Sequence, residues 1–170
     1  MRLACGPCVL RPFTPGDAES VADLANDRDV WRWVRDRFPH PYTRAHADDF
    51  IATAMTRDPP QNLAIEVDGR AVGSISVFLQ GDIERVSGEL GYWLGKPYWG
   101  RAIMTAAVRG MTRYAIDTFS LTRVFATLAA TNVGSMRVLE KAGFVREGFM
   151  KQSAIKDGIV QDQYMYGFYA

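Results

Sequence analysis

Several groups of residues in this chain have types and spacings that could do chemistry. The stretch from Gly91 to Thr105 puts a strand, a short glycine-containing loop and a helix start in immediate succession. Such a junction aims several unpaired backbone N–H groups and the positive end of a helix dipole at one spot, a ready site for an anion such as a pyrophosphate. Junctions of this kind are common and most bind nothing, so the pattern alone leaves both readings open. Just upstream, strand alternation puts Glu89, Gly91 and Trp93 on one side and Leu90, Tyr92 and Leu94 on the other. A carboxylate at Glu89 can take a proton through water or simply be solvated, and a bulge would reverse the parity. Ser135 follows Asn132 at the start of a helix, where Asn132 suits an N-cap and Ser135 either satisfies a backbone N–H or offers its hydroxyl to a cleft.

The two cysteines form Cys5-Gly6-Pro7-Cys8, a spacing shared with thiol-disulfide motifs. A redox pair works when a helix N-terminus lowers the pKa of its first thiol. Here the residues that follow read as a short strand ended by Pro12, and no strand is expected before the pair. A zinc site would need two more ligands, and the chain offers only His40 and His46, so no metal is expected.

The elements that must position these groups change period along the chain. After the first strand, Thr14 caps a helix with Pro15 at its first position, and Val21, Leu24 and Ala25 repeat at helical spacing. A second helical piece runs through Val30–Val34, and Pro39 and Pro41 end it before Thr43 restarts a helix. Leu63–Val67 and Ala71–Phe78 read as strands joined by an Asp68-Gly69 hairpin turn. A third strand covers Gly88–Leu94, and a helix runs from Ile103 to Phe119. The strand Arg123–Leu128, a helix from Asn132 to Lys141, and strands near Phe144–Met150 and Val160–Phe168 complete the order. Antiparallel hairpins followed by strand-helix-strand-helix-strand define an α+β class around one sheet. At 170 residues and 48% hydrophobic content the chain suits a single domain spanning 1–170. Twenty basic against nineteen acidic residues, with no run of like charge, give no nucleic-acid footprint and no polybasic anchor. No apolar run approaches a membrane span and no signal peptide is apparent, so a cytoplasmic location is expected.

Two blocks together resemble one family. Gly91-Tyr92-Trp93-Leu94 with Tyr98-Trp99-Gly100-Arg101-Ala102-Ile103-Met104 looks like the strand and pyrophosphate loop of GNAT N-acetyltransferases of the RimJ/RimL-like branch. Asn132 through Phe144 is similar to that branch's N-x-x-S-x-x-V-L-E-K-x-G-F signature, and Leu10-Arg11-Pro12-Phe13 through Asp17 is a weaker echo. The chain departs from the loop pattern Q/R-x-x-G-x-G/A at Trp99, Ala102 and Met104; the methyl of Ala102 matters only if that position needs positive φ or very close phosphate approach.

The resemblance implies a GNAT-like fold, with a mixed, mostly antiparallel sheet of six to seven strands flanked by helices. It implies acetyl-CoA as co-substrate, cradled by Trp93, Leu94, Trp99, Gly100, Arg101, Ala102, Ile103, Met104 and Thr105, with Asn132 and Ser135 on the pantetheine side. The implied reaction is direct attack of a primary amine, from a peptide N-terminus or a small molecule, on the thioester. That chemistry needs a base, an oxyanion donor and an acid for the leaving thiolate. The resemblance offers Glu89 as base and a backbone N–H near Tyr92 to Leu94 for the oxyanion. Many relatives use a tyrosine as acid where this chain has Leu139, and Ser135, four residues earlier on the same helical face, is the alternative. Trp31, Trp33, Phe38, His40 and Tyr42 stand where the fold builds its acceptor wall, although large rings are more often simply buried. A coenzyme-binding module without transfer activity and a thiol-disulfide protein are the competing functions. The expected assembly is a monomer or homodimer.

Overall fold

Asp68 and Gly69 take φ values of 49° and 79°, the backbone that a two-residue hairpin turn requires. They join β3 (Asn62–Val67) to β4 (Arg70–Leu79). β5 (Ser87–Leu94) then pairs along β4 from Gly73↔Leu94 to Leu79↔Gly88 with no shift of register, so Glu89, Gly91 and Trp93 do share a face. The computed structural model describes residues 1–170 and places these strands at the centre of an eight-stranded sheet, one or two more than the sequence suggests. Its order is β1-β2-β3-β4-β5-β6-β8-β7, antiparallel throughout except between β5 and β6 (Arg123–Ala129).

The additional strand is β1 (Leu3–Ala4), which pairs with β2 (Val9–Arg11). A strand therefore precedes the cysteine pair, contrary to expectation, and Cys5–Cys8 is the hairpin turn, closed by the Cys5 N–H on the Cys8 carbonyl at 2.9 Å. Burial raises both thiols, that of Cys8 to about 11. A redox pair needs the opposite shift, toward thiolate.

Thr14 and Thr43 start helices as expected, although the first begins as a 3-10 turn over Pro15–Asp17, and the second helical piece lies at Arg28–Trp31 instead of Val30–Val34. The Thr14 N–H donates to Asp17 at 2.8 Å ahead of α1 (Ala18–Ala25), and the Thr43 hydroxyl accepts from the His46 N–H at the start of α3 (Arg44–Ala54). Between them α2 (Arg28–Trp31) is a single turn. Buried Arg11 fixes this half of the molecule to the sheet: its guanidinium donates to both Asp17 oxygens, at 2.8 and 2.7 Å, and to Glu66 on β3.

α4 (Ile103–Phe119) lies on the other face, so close to β2 that a Cβ at Gly110 would run into the Cys5 sulfur. α5 (Val133–Lys141) packs beside it. The last hairpin, β7 (Val145–Lys156) and β8 (Ile159–Tyr169), is longer than the apolar pattern indicates. Lys151–Ser153 looks like a break in sequence but is absorbed as an irregularity of register, with Gln152 at φ 52° and its N–H on Asp162 at 2.7 Å. No helix is long and apolar enough to cross a membrane.

Candidate active site

The site is made by a pairing that stops. β5 and β6 run parallel and stay paired only through Ser87↔Arg123, Gly88↔Val124 and Glu89↔Phe125. Past Glu89 the two strands diverge, and a cleft of about 1560 Å³ opens between Leu90–Leu94 and Ala126–Leu128. Typical small-molecule pockets hold roughly 300–1,000 Å³, so this one has room for a large ligand and a second, smaller one.

Backbone groups on this strand edge are left facing the gap. Along an antiparallel strand, N–H and C=O of one residue point the same way and the direction alternates. Gly95 donates its N–H toward β4, to the Val72 carbonyl at 2.8 Å, while the Leu94 carbonyl turns the other way and accepts from the Trp99 indole at 2.7 Å. By that parity the amides of Tyr92 and Leu94 open into the cleft. Trp99, on the loop, is thereby pinned against the end of the strand.

The loop from Gly95 ends in two left-handed residues, Gly100 at φ 72° and Ala102 at φ 58°. Ala102 is the N-cap of α4 and makes no side-chain cap, so the N–H groups of Ile103, Met104 and Thr105 have no intrahelical acceptor and face the cleft end. Alternating backbone hand of this kind forms a concave nest of N–H groups suited to phosphate oxygens. The position does need positive φ, the condition under which an alanine there matters. Arg101, Arg109, Arg137 and Lys141 line the same end and add positive charge. These residues suit a diphosphate such as that of coenzyme A.

In mid-cleft, the Tyr92 hydroxyl on β5 and the Ser135 hydroxyl on α5 are hydrogen-bonded at 2.6 Å. Asn132 caps α5 by accepting from the Ser135 N–H at 3.1 Å, which leaves the Ser135 hydroxyl for Tyr92 and the cleft. Burial pushes the Tyr92 phenol up to about 12, against the bond from Ser135, so it stays protonated throughout the physiological range. Leu139, the position at which the resemblance leads one to look for a tyrosine acid, is fully buried in the core.

Glu89 stands on the opposite face of β5 from Tyr92, and Arg35, on the segment after α2, donates to its carboxylate. Around it Trp33, Arg37, Phe38 and Tyr42, together with His46, Asp49 and Thr53 of α3, form the second half of the cleft. Phe38 braces this wall, with ring centroids 5.7 Å from Trp93 and 4.8 Å from Tyr42. Trp31 and His40, two of the five aromatic wall candidates, do not reach the cleft. They stack on each other at 5.7 Å, with Lys156 at the end of β7 over the Trp31 ring at 3.9 Å.

Every residue expected at the coenzyme loop and pantetheine side lines the cleft, as do Glu89 and Tyr92. Sequence reasoning missed Arg35, Arg37, Ser74, Ser76 and Phe78. The β4 residues carried a signal: Ser74 and Ser76 alternate within an otherwise apolar strand, and both are buried, with the Ser74 hydroxyl unpartnered. The arginines carried none, since an arginine in a loop looks like any solvated charge.

Comparison with known proteins agrees with this geometry. Residues 8–145 match the family model described as Acetyltransferase (GNAT) domain. The Bacillus subtilis protein named "Probable N-acetyltransferase YjcK" is 39% identical over 169 residues, covering 90% of this chain and 88% of that protein. The fold is shared with a GNAT-family acetyltransferase from Bacillus anthracis (TM-score 0.84, 23% identity, 99% of this chain and 98% of that one). It is also shared with RimL, a ribosomal L7/L12 alpha-N-protein acetyltransferase solved with coenzyme A (TM-score 0.86, 17% identity, 99% and 98%).

Proposed function

The chain belongs to the GNAT acetyltransferase family, and from that premise we propose that it transfers the acetyl group of acetyl-CoA to a primary amine by direct attack within a ternary complex. The observation that carries this reading is the cleft between β5 and β6. It joins a phosphate-binding nest at one end to a carboxylate-bearing pocket at the other, with the Tyr92–Ser135 pair between them. On this reading residues 1–170 act as one catalytic domain.

Acetyl-CoA supplies an activated thioester, whose carbonyl carbon takes the amine nitrogen and whose sulfur departs with the electron pair of the broken C–S bond. Ile103, Met104 and Thr105 hold the diphosphate through backbone N–H groups, and Arg101 adds charge. The Tyr92 or Leu94 amide, aimed into the gap, donates to the carbonyl oxygen as negative charge builds there; one such donor is worth about 10²–10³ in rate. Glu89, reached through water, accepts the proton of the acceptor ammonium. Ser135 donates to the departing sulfur, with its hydroxyl held by Tyr92. A thiol has a pKa near 8.5, well below the value of about 12 at Tyr92. Complete transfer of the phenol proton to the sulfur is therefore uphill, so the pair acts as an oriented hydrogen-bond donor and the thiolate takes up the second proton, which the acylated nitrogen sheds. The acceptor is a peptide N-terminal α-amine or a small amine, as for relatives whose names specify ribosomal proteins.

Ala102 takes the left-handed conformation that glycine would, which supports coenzyme binding for an enzyme and for a binding module alike, and turnover separates the two. The test is calorimetric titration with acetyl-CoA, followed by thiol release in the presence of an amine panel. Binding with amine-dependent thiol release is the expected result. Binding without release from any amine would leave a coenzyme-binding module.

A further inference from the structure

Glu89, which the proposed function makes the base, is not free. Arg35 donates to it from a segment that otherwise leaves the arginine 62% exposed, while the Glu89 carboxylate is 15% exposed. Two residues on, Arg37 lays its guanidinium over the Phe78 ring at 4.5 Å, and Phe78 is the direct cross-strand partner of Glu89. Arg35 thus pairs with the carboxylate at the floor of the acceptor pocket, and Arg37 lies over the ring of its cross-strand neighbour. Arg37 has no ion-pair partner, and neither has Asp49, which faces the pocket from α3 beside His46 and Thr53.

A simple ammonium that approaches Glu89 must share it with Arg35, so three charges, two of them positive, crowd one carboxylate. An acceptor carrying its own carboxylate a few bonds from the amine removes that conflict. Its ammonium takes Glu89, its carboxylate takes Arg35, and the four charges alternate. The guanidinium fork matches a carboxylate in plane and can accept it bidentately. Arg35 can make this exchange because its long side chain is largely in solvent and its surface pairing holds it only weakly. The Ser74 hydroxyl, buried in the β4 wall of the same pocket without a partner in the protein, leaves one more polar group for a polar acceptor.

We propose that Arg35 is a specificity-determining residue, which restrains Glu89 until an acceptor carboxylate displaces it, so that the enzyme prefers amines bearing a nearby carboxylate over neutral amines of the same size. This rests on the acetyl-transfer reading above. No bond other than those of acetyl transfer is made or broken; one ion pair is exchanged for two.

The test compares kcat/KM for matched acceptors: alanine against alaninamide, and the Ala-Asp against the Ala-Asn dipeptide amide, with cadaverine as a dication. The carboxylate member of each pair should be favoured by roughly 10- to 100-fold, the range of a hydrogen bond to a charged group. Arg35→Gln should lower the rate with the carboxylate acceptor, raise it with the neutral one as Glu89 is released, and so collapse the preference. Equal rates within each pair, an equal fall for both acceptors in Arg35→Gln, or a preference for cadaverine, which would point to Asp49, overturns the inference. Binding of alanine against alaninamide to the enzyme with CoA, which has no acetyl group to transfer, reads the same preference without turnover. If no amine releases thiol, the transfer reading fails, while tighter carboxylate binding that Arg35→Gln erases still sustains the role of Arg35; equal binding of the two overturns it.

Discussion

Tyr92→Phe isolates one hydroxyl at the centre of the site. The phenyl ring keeps its packing, and what is lost is the 2.6 Å bond to Ser135. Because Asn132 still holds the Ser135 N–H, α5 should not move, and the Ser135 hydroxyl is left to rotate among three staggered positions. Spreading it over three equivalent wells costs RT ln 3, about 0.65 kcal/mol, or roughly threefold in kcat. Loss of the polarising neighbour extends this to about tenfold. Ser135→Ala removes the donor itself and should cost about a hundredfold or more, the range of one preorganised donor to developing charge. If Tyr92 acts through Ser135, the double variant should be no slower than Ser135→Ala alone. Initial rates of thiol release, with the best amine of a panel at saturation, measure all four corners of this cycle. The reasoning is refuted if Tyr92→Phe costs the same factor in both backgrounds. It is also refuted if wild type shows a basic limb between pH 8 and 10 that Tyr92→Phe abolishes, because a phenol pushed up to about 12 cannot titrate there.

Glu89→Gln should lower kcat/KM by about a hundredfold below the pKa of the acceptor amine, and by less above it, where the amine arrives already deprotonated; a pH series of thiol-release rates checks this. Arg101→Glu, which puts a like charge at the mouth of the nest, should weaken acetyl-CoA on the order of tenfold at low salt and less at high salt, by calorimetry. Ala102→Gly relieves a left-handed alanine costing about 1–2 kcal/mol but adds glycine flexibility worth roughly 0.5–1, so it should raise Tm by about 2–4 °C; a fall in Tm would contradict the φ of 58°. Arg11→Met strands Asp17, while Glu66 keeps its pair with Arg2, and should destabilise by about 3 kcal/mol in urea titrations. In wild type, burial alone would raise Asp17, but the Arg11 guanidinium and the Thr14 N–H hold it below the usual carboxylate range. Its contribution is thus present above about pH 4 and lost as pH falls further, and that acid loss should be absent in Arg11→Met.

Much of this molecule was legible as sequence because it is decided locally. Thr14, Thr43 and Asn132 announce helix starts through bonds within three residues, Asp68-Gly69 dictates its own turn, and Ile103–Phe119 declares its period over seventeen residues. The loop and the serine helix are likewise contiguous motifs, which is why the lining of that half of the cleft could be read nearly residue by residue. Gln152 marks the limit, since a polar stretch that looks like a strand end is carried on by a bond to Asp162, ten residues away. In the other half the sequence pointed to Glu89, Trp33, Phe38 and Tyr42, and tertiary structure decided what meets them. The cleft exists because β5 and β6 part after Glu89, thirty-six residues from its partner Phe125 in sequence. The partners that define its chemistry, Arg35 with Glu89 and Tyr92 with Ser135, are 54 and 43 residues apart. Trp31 and His40 fell away from the cleft, and Arg35 and Arg37 came to it, for one physical reason. A loop side chain has no period to declare its direction, and the surfaces that pack against it set where it points.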